Sequence, residues 1–99
     1  MRELYLSPSA RRDLSEIAEY IANAAGPTIA GEMIVRIREK CRLLADTVGE
    51  IGVLRPDIRA GVRSFSVPPH VLFFRYTGHE VEIVRILHER RDVESTLLE

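Results

Sequence analysis

Two runs of apolar residues at spacings of three and four, joined by the dipeptide Gly26-Pro27, constrain most what this chain can fold into. The first passes through Ala10, Leu14, Ile17, Ala18, Ile21, Ala22 and Ala25, and the second through Ala30, Met33, Ile34, Ile37, Cys41, Leu44 and Ala45. Each traces one face of a helix with 3.6 residues per turn. Ser7 followed by Pro8 suits an N-cap and a first helical position, because the hydroxyl accepts an orphan backbone N–H and proline lacks one. Glycine tolerates the left-handed geometry that ends a helix, and proline can open the next. The prediction is a helical hairpin from Pro8 to about Asp46.

The flanks read as strands. Leu4 and Leu6 around Tyr5 form a short N-terminal segment that halts at Pro8. After the hairpin, Val48 to Ala60 carries Gly49, Gly52 and Pro56, which predicts an irregular connection with a short strand at Val53-Leu54. Three β segments follow, Val62 to Val67, Val71 to Thr77 and Glu80 to Leu87. Gly78-His79 is a two-residue turn with glycine first, a type II′ pattern, which pairs Thr77 with Glu80 and Arg75 with Glu82. That register also sets opposite charges across the strands. The fold class is α+β: an N-terminal strand, an antiparallel helical hairpin, then a mainly antiparallel sheet of three further strands. At 99 residues the chain makes one domain, and its core is thin, since a chain this size buries roughly 60–65% of its unfolded surface.

Strict alternation from that turn puts Val71, Phe73, Val84 and Ile86 on one face of the sheet. Leu72, Phe74, Tyr76, Val81, Ile83 and Leu87 fall on the other, with His70 and Arg85 at its base. Both faces are apolar, and one short hairpin of helices covers only one. The second is expected to be open to a protein partner, with burial by the tail Arg90 to Glu99 or homodimerisation as the alternatives.

Composition narrows the function. The longest uninterrupted apolar run, Val71 to Phe74, is too short to span a bilayer, and the polar start Met1-Arg2-Glu3 is not a secretory signal, so a cytoplasmic location is expected. A net charge of −1 argues against nucleic acid as the main partner, because phosphate binders carry a positive excess. The single cysteine, Cys41, lies on the second apolar stripe and reads as inert core. Without CxxC, a Cys/His cluster, a P-loop, a dinucleotide fingerprint or HExxH, no metal and no cofactor is expected.

Histidines, arginines and carboxylates remain. His79 reads as a solvated turn residue and His70 as a packing residue at a strand start. His88, followed by Glu89, Arg90, Arg91 and Asp92, either shuttles protons beside a phosphate or satisfies backbone carbonyls. Arg63, Arg75, Arg85 and His88 make a sparse ribonuclease set, because arginine stabilises charge but is a poor proton carrier. The run Arg36, Arg38, Lys40, Arg42 alternates with Glu32 and Glu39 at salt-bridge spacing and reads as a solvated face.

The element order resembles the ParE branch of the RelE/ParE toxin superfamily, together with four stretches: Ala10-x-x-Asp13-Leu14-x-x-Ile17-x-x-Tyr20-Ile21, Gly61-Val62-Arg63-Ser64-Phe65, His70-Val71-Leu72-Phe73-Phe74-Arg75 and Arg85-Ile86-Leu87-His88-x-Arg90-Arg91-Asp92. The last is the most specific, since folding alone requires no such order of arginine, histidine and aspartate. The resemblance implies the toxin of a type II toxin-antitoxin system, held inactive by a ParD-like ribbon-helix-helix antitoxin. It implies an inhibitor of DNA gyrase that acts by binding, with a RelE-like, metal-free, ribosome-dependent mRNA endonuclease as the alternative. In the nuclease reading the catalytic residues are His88, Arg63 and Arg85. Target binding is expected at Arg63, Arg85, His88, Arg90 and Arg91, and antitoxin binding at Leu14, Ile17, Leu72, Phe74, Tyr76 and Ile83.

Overall fold

A computed structural model describes residues 1–91; the expectations placed on the tail, residues 92–99, lie outside the described residues. Strand β1 (Glu3–Leu6) precedes helices α1 (Pro8–Ala25) and α2 (Pro27–Asp46), followed by β2 (Val53–Leu54), β3 (Arg63–Val67), β4 (His70–Thr77) and β5 (Glu80–His88). Ser7 caps α1 with its hydroxyl, which accepts from the Ala10 N–H at 3.0 Å. Gly26, at φ +95°, ends α1 and leads into Pro27 at the start of α2. Glycine is the residue that adopts this φ without a Cβ penalty, which makes so tight a helical turn possible.

The sheet runs β1-β5-β4-β3-β2. The β4–β5 hairpin has the predicted register, Thr77 opposite Glu80 and Arg75 opposite Glu82. Gly78 sits at φ +56° and, among the described residues, only glycines have a positive φ, consistent with the type II′ turn. The cross-strand pair forms too, with Arg75 Nε donating to Glu82 Oε1 at 2.6 Å. A parallel pairing lies at the edge, where Glu3 to Leu6 run beside Glu80 to Ile83.

The strict alternation breaks at one place. Phe73 pairs with Arg85 while Phe74 pairs with Ile83, so Val84 is an extra residue in β5. A bulge of this kind shifts the facing of everything beyond it. Ile86 therefore joins Leu72, Phe74, Val81 and Ile83 under the helices, and Leu87 joins Phe73 on the opposite side. The expected places of Ile86 and Leu87 are thus exchanged.

The hairpin of helices buries the main core. Ala10, Leu14, Ile37, Cys41, Leu44 and Ala45 pack against Leu72, Phe74, Val81, Ile83 and Ile86. Burial pushes the Cys41 thiol up to about 11, so it stays protonated and unreactive as expected of a core cysteine. The second face is closed as well, contrary to the expectation of an open strip. The connection between β2 and β3 folds over it, with Ile58 and Val62 enclosing Phe73 and Leu87. Arg55 N–H to Val62 C=O at 2.8 Å and Ile58 N–H to Arg55 C=O at 3.0 Å hold that connection in a compact shape.

Candidate functional site

Two of the four arginines expected to reach a target, Arg63 and Arg85, are committed within the fold. Arg63 begins β3 with its Nη2 on Glu50 at 3.1 Å and its Nη1 on the Ile51 carbonyl at 3.5 Å. Tyr76 completes this clamp on the α2–β2 loop. Its hydroxyl donates to the Leu44 carbonyl at 3.1 Å and accepts the Ile51 N–H at 3.4 Å. Arg2 lies 4.3 Å above its ring and donates to the carbonyls of Thr47 and Gly49. Gly52 passes so close beneath that a Cβ there would stand 2.7 Å from Phe74 and 2.9 Å from the Ser64 carbonyl oxygen.

Arg85 is held more firmly. Its Nε and Nη2 donate to the two carboxylate oxygens of Asp13 at 2.7 and 2.9 Å. Asp13 Oδ2 also accepts the Ile86 N–H at 2.9 Å. This arrangement follows from the sheet edge. β1 stops at Ile83, leaving the next stretch of β5 without a neighbouring strand, and α1 supplies the missing partners. Ser7 Oγ donates to the Val84 carbonyl at 2.8 Å and Asp13 accepts from Ile86. Such side-chain closure satisfies backbone groups that would otherwise be orphaned next to the core. Asp13 was not singled out as a site residue from the sequence. The signal was present nonetheless, because a carboxylate at position 13 sits on the same helical face as Ala10, Leu14 and Ile17.

His88, Arg90 and Arg91 lie together at the end of β5 and are exposed. The Arg90 N–H donates to His88 Nδ1 at 3.1 Å, so the neutral ring carries its proton on Nε2 and presents a donor. His88 crosses to His70, its register partner on β4, with ring centroids 5.8 Å apart in an edge-on arrangement. His70 is only 6% exposed and its Nδ1 has no hydrogen-bond partner among the described residues. Burial, and secondarily the neighbouring His88, hold its pKa below the ordinary 6.5, with Glu89 opposing. Below that ordinary value the unfolded chain binds the proton more readily than the folded one, so unfolding free energy falls as pH falls. Urea midpoints measured at about pH 7 and about pH 5.5 should therefore drop in the native chain and drop less in His70→Phe. Equal losses in both would show that His70 contributes nothing to acid sensitivity.

The residues expected to hold an antitoxin divide. Leu72, Phe74 and Ile83 are 0% exposed beneath the helices and form interior packing in this conformation, while Tyr76 is half-buried and turned into the loop clamp. The earlier placement failed because the face chosen for a partner is the one the hairpin covers. Leu14 is itself buried, at 6% exposed, and Ile17 is half-buried one turn along the same face of α1, yet each borders a different depression. Leu14 lines a groove of about 600 Å³ between the helices and β1, with Leu4, Leu6, Ala18 and Ile34 as its apolar wall and Arg11 and Arg38 beside them. Among the described residues β1 pairs only with β5, which leaves its other backbone edge without a strand beside this groove. Ile17 lines a separate cavity of about 400 Å³ that reaches His70, His88 and Arg91. Among the described residues no three His, Cys, Asp or Glu side chains cluster for a metal ion.

The chain and its architecture have counterparts among known proteins. The family model for the ParE toxin of type II toxin-antitoxin system, parDE, matches residues 4–93. Toxin ParE1 of Mycobacterium tuberculosis is 33% identical over 93 residues, covering 93% of this chain and 94% of that protein. Toxin ParE1 of Caulobacter vibrioides is 30% identical over 97 residues, covering 98% and 99%. A chain in the solved structure of the chromosomal ParDE TA system from P. aeruginosa superposes with a TM-score of 0.78 at 28% identity, covering 89% of this chain and 96% of that one. The match runs through the capped hairpin, the bulged β5 and the edge closed by Asp13, and the chain belongs to the ParE toxin family of type II toxin-antitoxin systems.

Proposed function

We propose that this ParE-family toxin arrests growth by binding DNA gyrase, and that a ParD-like antitoxin of the ribbon-helix-helix type neutralises it in the cytoplasm. The observation that carries the binding reading over RNA cleavage is the commitment of Arg85. A nuclease needs a preorganised cation facing the developing phosphorane charge and a base for the 2′-hydroxyl. Arg85 is instead fastened by two bonds to Asp13. His88, with Nδ1 already accepting from Arg90, offers a donor where the first step requires an acceptor. A cell-free translation reaction supplied with the toxin should accordingly show intact message. Cuts within ribosome-bound codons would favour the endonuclease reading and make His88 the residue to replace.

The antitoxin is assigned to the groove between the helices and β1. Its wall of Leu4, Leu6, Leu14, Ala18 and Ile34 suits apolar anchors, and Arg11 and Arg38 suit an acidic flank. The unpaired edge of β1 offers the main chain of an extended segment a further place to bond. The occupant is thus an acidic amphipathic segment with branched apolar residues. Reversing both charges, Arg11→Glu with Arg38→Glu, should weaken antitoxin binding by about tenfold or more and flatten its salt dependence. Both side chains are exposed, so the thermal midpoint should hardly move. Unchanged affinity with an intact fold would remove the antitoxin from this groove.

For the target surface, His88, Arg90 and Arg91 are the residues retained. Arg63 and Arg85 act on gyrase only through the shape they maintain.

A further inference from the structure

Arg12, Glu16 and Tyr20 follow one another along α1 at spacings of four, which places them on one side of the helix. Two hollows join this stripe to Arg91 at the end of β5. A shallow depression of about 200 Å³ is lined by Ser9, Arg12, Asp13, Glu16, Arg85 and Arg91. The neighbouring cavity of about 400 Å³ brings Glu16, Tyr20, His88 and Arg91 together. Arg11, one residue before Arg12 and about 100° around the helix, lines the groove beside β1 instead. The start of α1 thus presents one arginine to each of two separate surfaces.

Folding accounts for neither Arg12 nor Tyr20. Both are exposed, Tyr20 at 74%, and neither the Arg12 guanidinium nor the Tyr20 hydroxyl bonds any other described residue. We propose that Arg12 and Tyr20 extend the target surface of His88, Arg90 and Arg91 onto α1, and that the enlarged surface takes an acidic, carboxylate-bearing protein segment. This rests on the reading of the chain as a gyrase-binding toxin. The charges favour such an occupant. Asp13 is neutralised by its two bonds from Arg85, so Arg12 and Arg91 face Glu16 alone and the depression keeps a positive excess. A carboxylate matches the planar fork of a guanidinium. A nucleic-acid backbone fits less well, because Glu16 stands between Arg12 and Tyr20 and the whole chain carries −1. Tyr20 points the same way, since an exposed ring with a hydroxyl joins arginine among the residues that dominate protein–protein contacts.

The test titrates the fluorescently labelled full chain with purified DNA gyrase in the absence of DNA, at low and at physiological salt. Arg12→Glu should weaken binding about three- to tenfold at low salt, with the difference narrowing as salt rises. Tyr20→Ala should weaken it about tenfold at both salt concentrations, and Glu16→Gln should tighten it about twofold at low salt. Arg36→Glu makes the same charge change at an exposed position of α2 outside these hollows and should bind as the native chain does. All four side chains are exposed, so thermal midpoints should hardly move. Full-strength binding by either Arg12→Glu or Tyr20→Ala overturns the proposed surface while leaving gyrase as the target. Equal losses in Arg12→Glu and Arg36→Glu would reduce the effect to net charge and overturn it as well. Binding that needs DNA and is competed by a short duplex would make the ligand a phosphate backbone, with the same result. No binding by the native chain, with or without DNA, removes gyrase itself, an outcome read before any substitution is made.

Discussion

Asp13→Ala is expected to cost about 3–5 kcal/mol of folding free energy, the range for removing one partner of a buried ion pair. Two losses combine. The Arg85 guanidinium, with its side chain 19% exposed, keeps its charge but loses its counter-ion, and the Ile86 N–H loses its acceptor in the interior. Because domains of this size are stable by only about 5–15 kcal/mol, the variant should unfold at a much lower urea concentration or fail to accumulate. Asp13→Asn should fall between, since its amide oxygen still accepts from Ile86 while its NH₂ faces the guanidinium. The pair Asp13→Leu with Arg85→Leu should lose clearly less than the two single changes summed, because it leaves no unpaired charge. Additive losses across this double-mutant cycle would show that the two side chains do not depend on one another. Toxicity should follow stability throughout the series. An Arg85 variant that stayed folded and lost gyrase binding would return Arg85 to the target surface.

Phe74→Ala is the second large effect, expected at about 3–5 kcal/mol as for other fully buried phenylalanines. Phe74 is 0% exposed, meets Tyr76 edge to face at 5.6 Å and lies against the only residue type, glycine, that fits at position 52. Its removal therefore opens a cavity and loosens the α2–β2 loop at once. Antitoxin binding should decline only in proportion to the unfolded fraction, and excess antitoxin should restore it by mass action. A folded Phe74→Ala that had lost antitoxin affinity outright would contradict the groove assignment and place the antitoxin on the sheet instead.

The difference between these two residues shows what the sequence can and cannot convey. Local signals were fully legible: the Ser7-Pro8 cap, the Gly26-Pro27 junction and the Gly78-His79 turn each rest on the chemistry of one or two neighbouring residues. The ladder that pairs Arg75 with Glu82 follows from that turn by counting. Counting fails at Val84, where a single extra residue reverses the facing of Ile86 and Leu87, and nothing local to Val84 announces a bulge. Closure of the second sheet face was hidden for another reason. Ile58 and Val62 stand in a stretch without periodicity, and their packing on Phe73 and Leu87 depends on how the loop folds back. Arg85 and Asp13 lie 72 residues apart, so their bond belongs to tertiary structure alone. Of the motif residues expected to reach a target, Arg63 and Arg85 are bonded within the scaffold. A family motif records every constraint on the fold as well as on the target, and only geometry separates them.

That separation leaves a surface formed by His88, Arg90 and Arg91 at one end of the sheet, and a groove between the helices and β1. These are distinct places on the molecule, so an antitoxin seated in the groove need not cover the residues assigned to gyrase. It would act by its bulk or by extending beyond the groove.

Inhibition of gyrase by binding, as proposed for this toxin, is read out by supercoiling of relaxed plasmid with purified DNA gyrase. The folded toxin is added alone, as an Arg90→Glu, Arg91→Glu variant, and after preincubation with its antitoxin. The account predicts that the native toxin blocks supercoiling, that the variant does not, and that the antitoxin restores the reaction. Undiminished supercoiling in the presence of native toxin shown to be folded would contradict it.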